Sequence, residues 1–279
     1  MKNLDDKVAA VTGAGSGIGR ALALKLAADG CHLALSDVDA DGLAETERLL
    51  AGRTRGLTTA VVDVADEAAV TAWADAVVAD HGRANLVFNN AGVALSGTVA
   101  SLSTEDYRWI MGVNFWGVVH GTKAFLPHLE ASGAGHVVNI SSVFGLTSQP
   151  LMSGYNASKF AVRGFTESLR QDLELTGSCV SATCVHPGGV KTNIARDARV
   201  NDSVAAVTGK GAQASTKELE KAFTTSPDKA AEVIVEAVRR NKRRVLVGPD
   251  ARVFDAMARL APAGYQRLIT GVVRSRAAR

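Results

Sequence analysis

Tyr155 and Lys159 stand four residues apart in the run Tyr155-Asn156-Ala157-Ser158-Lys159. On a helix that spacing puts both side chains on one face. A free tyrosine has a pKa of about 10 and exchanges protons poorly at neutrality. A neighbouring ammonium favours the phenolate and lowers that value. The pair therefore reads as a proton-exchange device, although the same spacing also occurs on ordinary solvated helix faces. A second group of residues concerns phosphate. Thr12-Gly13-Ala14-Gly15-Ser16-Gly17-Ile18-Gly19 lies between a β-prone run and a stretch of helical apolar spacing. Glycines there let the backbone turn sharply and approach a pyrophosphate, which the helix N-terminus then stabilises. The spacing is G-x3-G-x-G and not the usual G-x-G-x-x-G. Asp37 closes the next β-prone run, 24 residues after Gly13, where an acid accepts hydrogen bonds from an adenosine ribose. A carboxylate there repels a 2′-phosphate, no Arg or Lys adjoins it, and Ser16 stands where a base would otherwise neutralise such a phosphate. These features favour NAD over NADP.

These residues need strand ends and helix starts to hold them, and the chain supplies both in alternation. Strands are expected over residues 7–12, 31–36, 57–62, 86–89, 135–140, 180–185 and 244–247. Helices are expected over 18–29, 41–50, 67–81, a long stretch from 103 to 130, 153–175 and 227–241. Ser103-Thr104-Glu105-Asp106 resembles a capping box, and Ser226-Pro227-Asp228 places a cap, Pro at N1 and an acid in the first turn. Such alternation implies an α/β fold: a doubly wound, Rossmann-type parallel sheet with helices on both faces, in a single domain. Residues 1–250 are assigned to that domain. A polar insertion at 193–225 has few anchors of its own and is expected to act as a mobile substrate lid. Residues 251–279 form a basic, amphipathic extension broken at Pro262-Ala263-Gly264.

Taken in order, the marked residues resemble the short-chain dehydrogenases/reductases. The resemblance is carried by Thr12-Gly13 through Gly19, Asp63-Val64, Asn89-Asn90-Ala91-Gly92, Asn114, Ser141-Ser142, Tyr155 with Lys159, and Pro187-Gly188-Gly189-Val190-Lys191-Thr192. It covers about residues 5–250. It implies an NAD(P)-dependent oxidoreductase moving a hydride between NAD(H) and an alcohol or ketone. Gly13, Ser16, Gly17, Ile18 and Gly19 would cradle the pyrophosphate, Asp37 the adenosine ribose, and Asp63 and Val64 the adenine. Asn90, Ala91 and Gly92 would line the nucleotide cleft, while Asn89 would tie strands together. Pro187, Val190 and Thr192 would form the nicotinamide loop, the last two fixing the carboxamide. Ser142 would polarise the substrate oxygen and Tyr155 would exchange the proton. Lys159 would lower the tyrosine pKa and bind the nicotinamide ribose, and Asn114 would hold a water in a proton relay. Leu95, Phe144, Met152 and Gly189 would border the substrate. The first three are apolar and no Arg pair stands ready to clamp a carboxylate, so a fairly lipophilic secondary alcohol or ketone is expected.

Composition limits the other readings. The 279 residues are 47% apolar and 21% charged, as in ordinary globular proteins. Cys31, Cys179 and Cys184 form no CxxC pair, so neither a metal site nor a disulfide framework is expected and all three read as small buried hydrophobes. No apolar N-terminal segment or membrane-length run occurs, which points to a soluble, cytoplasmic protein. Charge is uneven: residues 239–279 hold eleven Lys/Arg against Asp250 and Asp255, while the first 238 residues carry a net −6. The basic run at 239–244 lacks interleaved aromatics, and nucleic-acid binding is not expected. A peripheral membrane dehydrogenase of lipid, retinoid or steroid type is an alternative, against which the short, broken basic segments weigh. A nucleotide-sensing protein that leaves Tyr155 unused is another. The apolar surplus on the 103–130 and 153–175 helices predicts a homodimer or homotetramer. Asp37→Ala should narrow the preference for NAD over NADP, since it removes the repulsion of a 2′-phosphate. Comparing kcat/KM for the two cofactors checks this, and equal use of both by the wild type would contradict it.

Overall fold

The computed structural model describes residues 1–209, 211 and 223–277. Seven parallel strands form one sheet in the order β3-β2-β1-β4-β6-β7-β9. They are β1 (Val8–Thr12), β2 (His32–Asp37), β3 (Leu57–Val61), β4 (Leu86–Asn89), β6 (Gly135–Ile140), β7 (Val180–Pro187) and β9 (Arg244–Val247). β5 (Leu95–Ser96) and β8 (Arg199–Val200) pair separately, also in parallel. Helices α1 (Gly17–Ala28), α2 (Ala40–Leu50), α3 (Glu67–His81), α4 (Thr104–Met111), α5 (Gly117–Ala131) and α6 (Ser153–Leu175) alternate with the strands. They are followed by α7 (Ser203–Thr208), α8 (Pro227–Arg239), α9 (Pro249–Leu260) and α10 (Gly264–Ala277). Among the described residues no helix is long and apolar enough to cross a membrane.

A parallel sheet covered on both faces needs strands apolar on both faces, and β1 (Val-Ala-Ala-Val-Thr) is buried throughout. Alternate residues serve opposite layers. Ala9 and Val11 join Leu22, Leu26, Leu33, Leu35, Ile234 and Val238 beneath α1 and α8. Val8 and Ala10 join Trp73, Val77, Phe125 and Leu129 beneath α3 and α5. The strand order reverses between β1 and β4, so their C-terminal ends open the crevice where this class of sheet receives ligands.

Two buried amides beside that crevice tie its strands and helices together. Asn89 and Asn139 sit in register on β4 and β6, and Asn89 Nδ2 donates to Asn139 Oδ1 (2.8 Å). Asn89 Nδ2 also reaches Thr122 Oγ1 on α5 (3.2 Å). Asn139 Nδ2 donates to Thr166 Oγ1 on α6 (3.0 Å). Two strands and two helices are thus locked by three side-chain bonds, the strand-tying role expected of Asn89.

Both expected caps form: Ser103 and Asp106 make a reciprocal capping box, and Ser226 Oγ accepts from Lys229 N–H. The 103–130 stretch, expected as one helix, is interrupted by a π-helical turn at Gly112–Trp116. Apolar periodicity does not reveal one inserted residue, and such bulges often mark functional positions. The 193–225 insertion is better anchored than expected. β8 pairs with β5, Asn201 N–H donates to Ser96 O, and the Arg199 guanidinium lies 3.6 Å from the centroid of the Trp109 ring. Residues 210 and 212–222 of that expected lid lie outside the described residues. The extension does break where Pro262-Ala263-Gly264 stands, between α9 and α10. Cys179 corrects another expectation: it precedes β7 and is exposed, while Cys31 and Cys184 are buried.

Asn139→Ala should lower stability by about 1 kcal/mol, because it removes one buried acceptor of Asn89 Nδ2 and the amide donor to Thr166 Oγ1, each of which keeps another partner. Urea unfolding reads this. A loss below about 0.5 kcal/mol, the scale of ordinary surface substitutions, would show that water replaces the amide.

Candidate active site

The glycine-rich loop leaves β1 with Gly13 in the left-handed region (φ 66°) and enters α1 through Gly17 (φ 51°). A Cβ at Gly19 would overlap the Gly13 carbonyl, and one at Gly13 would lie 2.8 Å from Ala91 Cα. The loop is held from the β4 side. Asn90 Nδ2 donates to Thr12 O (2.9 Å) and Gly13 O (3.1 Å), and the N–H groups of Asn90 and Ala91 donate to Thr12 Oγ1. Asn90, expected to line the cleft, therefore also fastens the loop. Ser16 is the N-cap of α1 but its side chain caps nothing, which leaves first-turn amides free for an anion.

Asp37 ends β2, and its Oδ2 accepts from Gly15 N–H (2.7 Å). Its Oδ1 accepts from Asp39 N–H, and no Lys or Arg pairs with it among the described residues. Arg20, which sequence reasoning passed over, braces the loop by donating to Gly15 O, to Gly42 O (3.1 Å) and to Thr46 Oγ1 (2.9 Å). Asp63 accepts from Ala65 N–H (2.9 Å). Val64 is buried beneath the π turn, where a Cβ on Gly117 would lie 2.7 Å from its Cγ2. At the other end of the crevice Gly17 lies close to Thr192. Val190 bridges Thr225, and Pro187 ends β7. A left-handed glycine loop, an uncapped helix start and a carboxylate with no cationic partner among the described residues at the end of β2 fit a dinucleotide with a free adenosine ribose.

The chemical groups lie beyond β6. Tyr155 and Lys159 share the buried face of α6. Lys159 Nζ donates to Ile140 O (3.1 Å) and lies 5.7 Å from the Tyr155 ring centroid. The π turn brings Asn114 inward, where its Oδ1 accepts from Val93 N–H (2.8 Å). Asn114 Nδ2 donates to Val93 O and to Ser158 Oγ, both at 3.0 Å. A Cβ on Gly92 would meet both Asn114 Oδ1 (3.2 Å) and Lys159 Nζ (3.3 Å), so Gly92 keeps that passage open. Ser142 Oγ accepts from Phe144 N–H (3.1 Å), and the Ser142 carbonyl contacts His186 Nδ1 (3.0 Å). His186, which burial holds down at about 4, is a neutral brace for the serine loop.

Burial pushes the Tyr155 hydroxyl above its ordinary value, and its hydrogen bond with Ser142 draws it only part of the way back. Burial likewise pushes Lys159 down to about 8. Of the influences on the phenol, loss of water is the largest.

Leu95, Phe144, Met152 and Tyr155 join one apolar cluster with Ile110, Ile194 and Ala198. Three of the four expected substrate neighbours are thus together at the phenol. Gly189 lies apart, with its N–H donated to Asp250 Oδ2 (2.6 Å). A cavity of about 480 Å³ opens on another face of α6, between Gly97, Val99, Pro150, Ala157 and Phe160. It includes neither Tyr155 nor Lys159 and is not the place of this chemistry.

Residues 7–203 match the short chain dehydrogenase family. Over 274 residues the chain is 50% identical to SadH of Mycobacterium tuberculosis, covering 98% of this chain and 97% of that protein. It is 32% identical over 281 residues to dehydrogenase/reductase SDR family member 7B of Danio rerio, covering 98% and 87%. A short chain dehydrogenase/reductase of Burkholderia phymatum, solved in complex with NAD, superposes with a TM-score of 0.86. That match has 35% identity over 93% of this chain and 95% of that one. The chain belongs to the short-chain dehydrogenase/reductase family of NAD(P)-dependent oxidoreductases.

The buried lysine gives a pH test. Its value falls from 10.5 to about 8 on folding, so the unfolded chain binds more protons between those values. The desolvation penalty is complete below about pH 8 and fades as pH rises towards the unfolded value. The stability of wild type relative to Lys159→Met should therefore rise from about pH 7 to about pH 10. Denaturant unfolding at both pH values checks this, and a gap that does not change with pH would mean that the ammonium is solvated.

Proposed function

We propose that this chain oxidises a fairly lipophilic secondary alcohol or reduces the matching ketone, with NAD(H) preferred over NADP(H). The observation that carries this reading is the meeting of Ser142, Tyr155 and Lys159 beside one apolar cluster at the β1/β4 crevice. NAD, when bound, supplies the hydride acceptor and, in its reduced form, the donor. Gly13, Ser16, Gly17, Ile18 and Gly19 would hold its pyrophosphate. Asp37 would hold its adenosine ribose, Asp63 and Val64 the adenine, and Val190 and Thr192 the carboxamide. The neighbouring NAD-bound structure supports the preference, as does the Asp37 carboxylate, which has no cationic partner among the described residues.

The protein's own part is position and proton transfer. Ser142 Oγ donates a hydrogen bond to the substrate oxygen. Tyr155 Oη gives that oxygen a proton in reduction and takes one from it in oxidation. With its pKa raised by burial, the phenol is protonated at neutral pH, the form that ketone reduction requires. Lys159 presents its ammonium to the phenol, and Asn114 fixes the Val93 backbone beside Gly92 so that a proton path reaches Lys159. Leu95, Phe144 and Met152 exclude water and favour an apolar substrate. A homodimer or homotetramer is supported by Trp116 and Phe160, which are 51% and 39% exposed on the π turn and α6.

The test is a panel of secondary alcohols and ketones assayed through NADH absorbance. Tyr155→Phe should lose at least about 10²-fold in kcat, the scale of general acid–base catalysis, while keeping its NADH affinity. A near-wild-type rate would remove Tyr155 from the chemistry.

A further inference from the structure

The two C-terminal helices reach the site at four points. Asp250, in the first turn of α9, accepts the Gly189 N–H at 2.6 Å, and a Cβ on Gly188 would overlap its carboxylate. One turn later Phe254 meets Phe144 edge to face, with centroids 6.3 Å apart and planes at 89°. Phe144 meets Tyr155 in the same way, at 6.1 Å and 88°. Because Phe144 also donates its N–H to Ser142 Oγ, it connects α9 to both hydroxyl-bearing residues of the site. From α10, buried Tyr265 accepts the Ser148 N–H at 3.0 Å, and α10 packs against α7 of the insertion.

We propose that α9 and α10 form the outer wall of the substrate pocket, with Phe254 selecting substrate size and Tyr265 latching the 146–152 stretch. The size-selecting role rests on the alcohol/ketone reading above. Edge-to-face pairs hold each other's orientation, so the Phe254 ring fixes where Phe144 stands beside the phenol. It thereby fixes how much room lies beyond the reacting carbon. The 146–152 stretch contains Leu151 in the left-handed region (φ 64°), a conformation that costs a leucine energy and persists only when its surroundings impose it. Tyr265 supplies part of that restraint from outside the stretch. Asp250 makes the same helix hold the Gly188–Gly189 corner, so one late segment sets both the cofactor loop and the far wall.

The full-length enzyme is assayed with a homologous series of 2-alkanones and the matching alcohols. Phe254→Ala should raise kcat/KM for long or branched members relative to short ones by about tenfold, the lower end of what one methylene is worth in an apolar pocket. The change should lie in KM more than in kcat, with the Kd for NADH unchanged. Phe254→Leu, which keeps most of the bulk, should return most of the wild-type profile. An unaltered profile in Phe254→Ala with NADH affinity intact would overturn the size-selecting role. Tyr265→Phe removes only the acceptor oxygen and should speed hydrogen exchange in 146–152 by about tenfold, with the sheet still protected. Unchanged exchange there would overturn the latch. If the wild type turns over no member of the series, the alcohol/ketone reading fails and size selection fails with it. The exchange measurement, which needs no turnover, then still decides the latch.

Discussion

A primary ammonium buried to 3% exposure is the constraint around which the rest of this site is arranged. Among the described residues Lys159 Nζ has one acceptor, the Ile140 carbonyl at the end of β6, and an amine so poorly solvated loses much of its tendency to stay charged. Several features next to it fix where that side chain stands. Ser141 donates to the Lys159 carbonyl at 2.8 Å, and a Cβ on Gly145 would lie only 2.6 Å from that oxygen. Gly92 leaves space before the ammonium, and the π turn points Asn114 at the backbone beside it. An uninterrupted α-helix over the same residues would carry Asn114 to a different angle about the axis. The inserted residue is a local cost accepted for position.

The dinucleotide end obeys a different constraint, close backbone approach. Gly13 and Gly19 come within contact distance because neither carries a Cβ, and that contact aims the start of α1 at the crevice. Such an approach is stable only if the loop's polar groups find partners. Thr12 Oγ1, Asn90 Nδ2 and Arg20 supply them from β1, from the β4 loop and from α1 itself. Asp37 completes the loop by accepting Gly15 N–H. One carboxylate thus holds the glycine loop at the end of β2.

How much of this the sequence reveals depends on whether the determinant is local. The strands over 86–89, 135–140 and 244–247 and the helices over 67–81 and 153–175 are legible to the residue. Their patterning and caps lie within the segment that they define. The Tyr155/Lys159 pair, the glycine loop and Asp37 are legible for the same reason: spacing along one element fixes their geometry. The π turn is not, because one extra residue hardly changes the apolar pattern. Nor are Arg20, Phe254 and Tyr265, whose partners are supplied by other elements, for the last two more than a hundred positions away in the chain. The burial of Tyr155 is not legible either, because spacing shows the neighbouring charge but not the loss of water that raises the phenol.

Charge in the C-terminal segment shows the same dependence on distant partners. By composition it is a strongly basic tail suited to an anionic surface. In the fold Arg239 reaches Asp29, Arg243 reaches Glu174, and Arg244 and Arg259 share Asp255. Arg239 and Arg243 thus answer acids of the first 238 residues, across the α1–α8 packing and at the end of α6, while Arg244 and Arg259 answer an acid of the segment's own. Exposed pairs of this kind add little stability one by one. The Arg244–Asp255 pair ties β9 to α9, the helix from which Asp250 reaches the Gly188–Gly189 corner and Phe254 reaches Phe144. Strand ends and helix faces early in the chain therefore carry the groups that react. The segments that follow β7 hold the Gly188–Gly189 corner and the Phe144 ring in place beside them.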